Sequence, residues 1–143
     1  MNSKFTNKIV AFYPIHGKDY HKPVVYFNVI RNHTKSSLVL NVILGGIDES
    51  QDMFTLKLKI VRDDERTMFS SLYTVHPSEM SKKSLVQNTV VGLYTIGPLV
   101  FEIDDHSTHS YIASLDLVDS QGNVWDSAHT WFLSRPDKQL NQK

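Results

Sequence analysis

The strongest constraint on the fold is a pair of β-strand patterns between residues 111 and 133, joined by a short polar link. The apolar positions of the first pattern are Tyr111, Ala113, Leu115 and Leu117. They alternate with other residues at a period of two, which places one face of a pleated strand toward a core. The second pattern is rich in β-branched and aromatic residues, and the link contains Gly122, which suits a turn. The segment predicts an antiparallel hairpin.

Similar strand patterns recur along the rest of the chain. They predict strands at residues 8–13, 24–30, 38–44, 54–60, 68–75, 88–96 and 99–103. The clearest is 54–60, where Phe54, Leu56, Leu58 and Ile60 alternate with Thr55, Lys57 and Lys59. We expect turns at 14–19 and 63–66, and we expect Gly45 and Gly46 to end the strand before them.

Helical signals are scarce. The one candidate is residues 76–84, where Pro77 sits near a possible first turn, and it predicts at most one short helical turn. About eight or nine short strands without helical crossovers predict an all-β, antiparallel fold. We predict a β-sandwich, immunoglobulin-like or jelly-roll-like, with a closed barrel as the second choice. Residues 1–135 are expected to form one domain, followed by a polar C-terminal tail at 136–143.

Composition excludes several function classes. Fifteen basic residues balance fifteen acidic ones, which argues against a nucleic-acid partner and against attachment to an anionic membrane. There are no cysteines, so a disulfide framework and a cysteine nucleophile are ruled out. The first residues lack the apolar core of a secretory signal, and no segment approaches the roughly 20 apolar residues of a membrane span. We expect a cytoplasmic protein.

Candidate metal ligands are concentrated at residues 104–109, which include Asp104, Asp105, His106 and His109. Two histidines three residues apart converge only in a turn, and a polar hairpin loop accounts for the same residues without a metal. Acidic residues also gather at 48–52 and 63–65. Whether the first of these loops shares an end of the sandwich with Asp104 depends on Gly97-Pro98 being a turn or a bend. We expect no metal site and no cofactor, because none of these spacings is diagnostic.

Catalytic motifs are not found. The sequence has no nucleophile elbow, no phosphate-binding glycine-rich loop and no His-Glu-x-x-His motif. Glu102 and Asp104 would share a strand face as a carboxylate pair, but no sugar cleft is recognisable around them. We therefore assign no catalytic residues and expect a protein without enzymatic activity.

The last predicted strand has two mixed faces. One face carries Trp125, Ser127, His129, Trp131 and Leu133, and the other carries Val124, Asp126, Ala128, Thr130 and Phe132. Tryptophans that point inward belong to the core, which is the interpretation we favour. Tryptophans that point outward form an aromatic strip suited to a sugar or a protein. A β-bulge near Ser127 or Ala128 would switch the faces midway.

These observations leave two functional hypotheses. The first is a non-catalytic β-sandwich that binds a protein partner or assembles with its own copies. The alternative is a small-ligand module, with carbohydrate as the ligand class. The candidate binding residues for both are Trp125, His129, Trp131 and Phe132. Because both faces of the 111–133 hairpin are hydrophobic, we expect the core to cover one and a second subunit or partner, or loops of the same chain, to cover the other.

Overall fold

A computed structural model describes residues 3–16, 19–23, 26–29, 38–82, 88–99 and 107–136. These ranges contain nine strands: β1 Lys8–His16, β2 Asp19–Pro23, β3 Tyr26–Val29, β4 Leu38–Asp48, β5 Phe54–Arg62, β6 Thr67–Val75, β7 Thr89–Ile96, β8 His109–Asp119 and β9 Val124–Pro136. Helical backbone in the same ranges is limited to two 3₁₀ turns, Ser3–Phe5 and Pro77–Glu79. The second confirms the helical turn predicted after Val75. No helix in the described part of the chain is long and apolar enough to cross a membrane.

The strands form two sheets of a β-sandwich. The first sheet has the order β2-β1-β4-β7, and the second has the order β3-β9-β8-β5-β6. Without the short β2 and β3, seven long strands make antiparallel sheets of three and four strands. The order agrees with the immunoglobulin-like alternative. In the strand letters of that fold, β1-β4-β7 corresponds to A-B-E and β9-β8-β5-β6 corresponds to G-F-C-C′. The short β3 departs from the antiparallel prediction because it pairs parallel to β9.

The core lies between the sheets and is built by alternation. On β5 the side chains of Phe54, Leu56, Leu58 and Ile60 are buried, whereas Lys57 and Lys59 face solvent, as predicted. On β8 the buried set is Tyr111, Ala113, Leu115 and Leu117, which confirms the inward face of the hairpin. Since β5 and β8 are interior strands of the second sheet, their inward faces form the centre of its side of the core.

The glycine pair at 45–46 lies inside β4 instead of ending it, contrary to prediction. The pairing of β4 with β7 shifts register between Leu44 and Ile47, so the glycines form a bulge. A Cβ atom on Gly45 would lie 2.7 Å from Cγ2 of Val10, and Gly46 has a positive φ of 58°. A Cβ atom on Gly46 would also lie 2.8 Å from the backbone oxygen of Phe5. The two residues are therefore glycine because the strand passes close to the Val10 side chain and the Phe5 backbone, which alternation does not reveal.

Other strand boundaries also differ from the predicted ones. Pro14 and Ile15 are buried strand residues of β1, although they were expected in a turn. Strand β9 continues through Pro136, three residues past the predicted end of the strand at Leu133. Gly97 and Pro98 are joined by a cis peptide bond and lie outside any strand. The predicted strand at 99–103 lies outside the described residues after Leu99, as do parts of the predicted strand at 24–30.

A hydrogen bond joins the two sheets directly. The backbone N–H of Ile9 in β1 donates to Oδ2 of Asp126 in β9 at 2.8 Å, across 117 residues of sequence. The bond occurs where the pairing of β1 with β4 shifts register between Ile9 and Ala11. A carboxylate from one sheet thus satisfies a backbone donor beside a bulge in the other.

Candidate interaction surface

The β8–β9 turn is organised around the carboxylate of Asp119, which is only 7% exposed. It accepts hydrogen bonds from the backbone N–H groups of Gln121 and Asn123, both at 2.9 Å, and from Nδ2 of Asn123 at 3.1 Å. The indole Nε1 of Trp125 donates a further bond at 2.9 Å. These donors, the indole foremost, lower the pKa of Asp119 from 3.8 to about 2. The charged carboxylate therefore fixes both the turn and the Trp125 side chain.

Trp125 is the extra residue of a β-bulge. Leu117 pairs with Asp126 and Val118 pairs with Val124, which leaves Trp125 without a cross-strand partner on β8. Its half-buried ring packs against the core. The bulge therefore lies at Trp125, two or three residues before the predicted position at Ser127 or Ala128. It separates the two tryptophans that a strict period of two had placed on one face.

Phe132 is a core residue. Its ring is fully buried and stacks on Tyr111, with ring centroids 5.1 Å apart and an interplanar angle of 16°. Next to this pair, the hydroxyl groups of Tyr111 and Ser134 are 2.8 Å apart and buried. A side chain with no exposed surface cannot contact a partner of the folded protein. Phe132 is therefore removed from the candidate surface.

Trp131 and His129 lie on the outer face of the second sheet. Trp131 pairs across the strands with Ile112, and Ile112 pairs with Val61 on β5. Trp131 is 48% exposed and Ile112 is 51% exposed, so the described residues leave about half of each side chain uncovered. The core interpretation favoured for both tryptophans thus holds in part for Trp125 and is wrong for Trp131.

The next row of the same face is polar. His129 pairs with Ser114, and Ser114 pairs with Lys59, which has Ser70 on its other side. Lys59 is therefore a cation between two neutral neighbours. We refer to Trp131, Ile112, Val61, His129, Ser114 and Lys59 as the outer patch.

A third row begins beyond the outer patch. Here Asp116 lies between Ser127, whose hydroxyl donates to Oδ1 at 2.6 Å, and Lys57 on the neighbouring strand. The carboxylate of Asp116 thus has the cation Lys57 directly opposite it, whereas the residues directly opposite Lys59 are uncharged. The outer patch is bounded on this side by a charge-balanced row.

The acidic turn after β5 is held by contacts within the protein. Asp63 accepts a hydrogen bond from the backbone N–H of Ser110 at 3.0 Å and lies 2.9 Å from Nδ1 of His109. These contacts, with the Ser110 N–H as the larger cause, lower the pKa of Asp63. Asp64 bonds to Arg62, whose Nε lies 3.0 Å from Oδ1, and the guanidinium lowers the pKa of Asp64. This acidic cluster therefore shapes a turn.

Most of the candidate metal ligands near residue 104 lie outside the described residues. Glu102, Asp104, Asp105 and His106 lie outside the described residues. Within the described ranges, no group of three or more His, Cys, Asp or Glu side chains could hold a metal ion. The acidic loops at 48–52 and 63–65 lie at opposite ends of β5, because that strand connects them.

A concave site is present elsewhere. A cavity of about 460 Å³ lies beside the β4–β5 turn, lined by Glu49, Pro77, Lys82 and Asn88 among others. Its described lining contains no aromatic residue and none of the four predicted binding residues. The outer patch, by contrast, lies on a sheet face.

Comparison with known proteins identifies similar folds only. No protein-family model and no curated protein matches the chain. Among solved structures, a glycosyl hydrolase family 2 member from Bacteroides cellulosilyticus matches 92% of this chain at 13% identity, with a TM-score of 0.49. The β-glucuronidase of Bacteroides uniformis matches 84% at 12% identity, also with a TM-score of 0.49. The chain spans only 14% and 12% of those two proteins.

Two of the four predicted binding residues, Trp131 and His129, lie on the outer patch. Ile112 was expected on the hairpin face that a partner covers, whereas Val61 and Lys59 were not assigned to this surface. Alternation already places each of them on an outward face of its own strand. The missing information was the register, which decides that Ile112 lies beside Trp131.

Proposed function

We propose that this protein is a non-catalytic interaction module that binds another protein through the outer patch. The observation that supports it is the cross-strand pair of Trp131 and Ile112, each about half exposed. Aromatic side chains, tryptophan among them, are enriched at the centres of protein interfaces. A partner that covers this pair removes its apolar surface from water, which lowers the free energy of the complex.

The charges around the pair indicate the chemistry of the partner. Lys59 lies in the adjacent row between Ser70 and Ser114. Neither residue directly opposite Lys59 on the two neighbouring strands therefore carries a carboxylate. A protein surface that offers apolar side chains with a carboxylate at their rim would complement both features.

A binding experiment tests the proposal. The protein is immobilised and proteins from its own cell extract are compared between the parent, Trp131→Ser and Ile112→Ser. Leu93→Ser is the matched control, because Leu93 is 71% exposed on the first sheet. We expect a specific protein to be retained by the parent and the control and lost from both outer-patch variants. Its purified form should then bind more weakly to Lys59→Glu.

A protein retained equally by all four forms would contradict the outer patch as the binding site. All variants must also keep the circular dichroism spectrum and melting temperature of the parent within a few degrees. A variant that meets this condition and still binds overturns the proposal.

The alternative is a small-ligand module for carbohydrate. It is favoured by the polar row of His129, Ser114 and Lys59 beside the Trp131 indole, since sugars stack on aromatic rings and hydrogen-bond to polar groups. In this case soluble oligosaccharides should change the tryptophan fluorescence of the parent and not that of Trp131→Phe. The same change in both proteins would contradict this alternative.

A further inference from the structure

The two sheets have four edges, and three of them carry a feature that hinders pairing with another strand. Strand β2 contains charged residues and ends at Pro23, and β3 is only four residues long. The outer side of β7 is occupied at Val91 by Ser81, through two backbone hydrogen bonds of 2.8 and 2.9 Å. Charges, proline, short length and an added segment are the usual protections of sheet edges.

The fourth edge, β6, has none of these features, and the bulge in its pairing with β5 is confined to Met68 near the start of the strand. Its nine residues, Thr67–Val75, include no charged residue, no proline and no glycine. Among the described strands β6 has a single neighbour, β5. A long, uncharged edge strand is a template for a further strand.

We propose that β6 pairs with β6 of a second copy of this chain, antiparallel and centred on Ser71. In that register Phe69 of one copy lies opposite Tyr73 of the other, twice. Both aromatic rings pack only partly against the core of their own domain, so each has surface left for a partner. Aromatic cross-strand pairs stabilise antiparallel sheets.

The absence of charge favours a second copy over an unrelated strand. In a symmetric antiparallel pair, each residue meets a residue of the same short sequence, so a charged edge would meet its own charges. Around Ser71 the outward residues are Ser70 and Leu72, which would lie opposite each other. The result would be one continuous sheet of two domains, with an outer patch on each. This pairing uses a different surface from the outer patch and does not depend on the proposed function.

Charge variants on β6 test the pairing. Ser70 and Leu72 are exposed in the described structure, so lysines there should not disturb the fold. In the double variant S70K/L72K, lysine would lie opposite lysine across the proposed interface, and the dimer should dissociate. The control is L93K/T95K, which adds two lysines at exposed positions of β7 in the first sheet. Sedimentation velocity measures the oligomeric state of each.

A complementary pair of variants separates repulsion from misfolding. S70E/L72E should also be monomeric alone, and its mixture with S70K/L72K should form a heterodimer. A cross-link tests the register: the parent has no cysteine, so Ser71→Cys would form a disulfide with its own copy. Leu93→Cys on the first sheet is the control and should remain monomeric under the same oxidation.

The outcomes distinguish the two surfaces. A monomeric parent at high micromolar concentration overturns the pairing, as does a dimer that survives S70K/L72K. A dimer lost in Trp131→Ser and kept in S70K/L72K would place self-association on the outer patch instead. Retention of a protein partner by S70K/L72K would leave the proposed function intact whatever the oligomeric state.

Discussion

The hydroxyl groups of Tyr111 and Ser134 lie 2.8 Å apart inside the core, on neighbouring strands of the second sheet. Removing one of them leaves the other as a buried polar group without this partner. We expect Tyr111→Phe and Ser134→Ala each to lower the free energy of unfolding by about 1–3 kcal/mol. The double variant should lose less than the sum, because both partners of this hydrogen bond are then absent.

Urea denaturation of the four proteins measures this coupling. The aromatic stack of residue 111 on Phe132 should survive in Tyr111→Phe, since the ring is retained. Strictly additive losses would show that the two hydroxyl groups do not depend on each other.

The carboxylate of Asp119 should make stability depend on pH in acid. Its pKa is about 2 in the folded protein, below the ordinary value of 3.8, so the unfolded chain takes up the proton first. The stabilisation is therefore complete above about pH 4, declines between about 4 and 2, and is lost below the folded pKa. We expect the parent to be more stable than Asp119→Asn at pH 5, with a gap that narrows toward pH 2.

Thermal unfolding of both proteins across this pH range measures the gap. Asp52→Asn is the control, because Asp52 is exposed and its side chain has no hydrogen bond among those described. A constant gap between the parent and Asp119→Asn would contradict the role of the charged form.

A lysine at Leu58 should unfold the protein. Leu58 is 1% exposed in the centre of β5, and an unpaired ammonium there would be desolvated. The cost is several kcal/mol, against a total stability of roughly 5–15 kcal/mol. Circular dichroism should report the loss of strand signal in Leu58→Lys, while Thr55→Lys on the opposite face of the same strand should keep it.

Substitution by serine should lower the stability by different amounts at two adjacent aromatic residues of β9. Phe132→Ser removes a buried ring and should cost at least about 3–5 kcal/mol. Trp131→Ser removes a half-exposed side chain from the outer patch and should cost about 1 kcal/mol or less. Denaturation midpoints compare them, and equal losses would contradict the placement of Trp131 on the outer face.

The fold was predictable where alternation was regular. Residues 54–60 and 111–117 were assigned to strands with the correct inward faces, because one buried face forces a period of two. Boundaries were predicted less well, since Gly45-Gly46 and Pro14 are turn formers in most sequences. In this protein bulges and neighbouring strands accommodate them, and those contacts are tertiary.

The candidate surface was harder to predict for the same reason. A single extra residue at Trp125 separates it from Trp131, and the strand pattern alone placed that shift two or three residues too late. The neighbours of Trp131 come from strands 19 and 70 residues away in sequence, at Ile112 and Val61. Only the register brings them together.

The bond between Ile9 and Asp126 has a consequence for synthesis of the chain on the ribosome. Its acceptor is made 117 residues after its donor, which is about 6–23 s at roughly 5–20 residues per second. Strand β1 can find β4 much sooner, but during that interval the bulge at its start has no carboxylate from the opposite sheet. The side of the sandwich between β1 and β9 can therefore close only after β9 has been made.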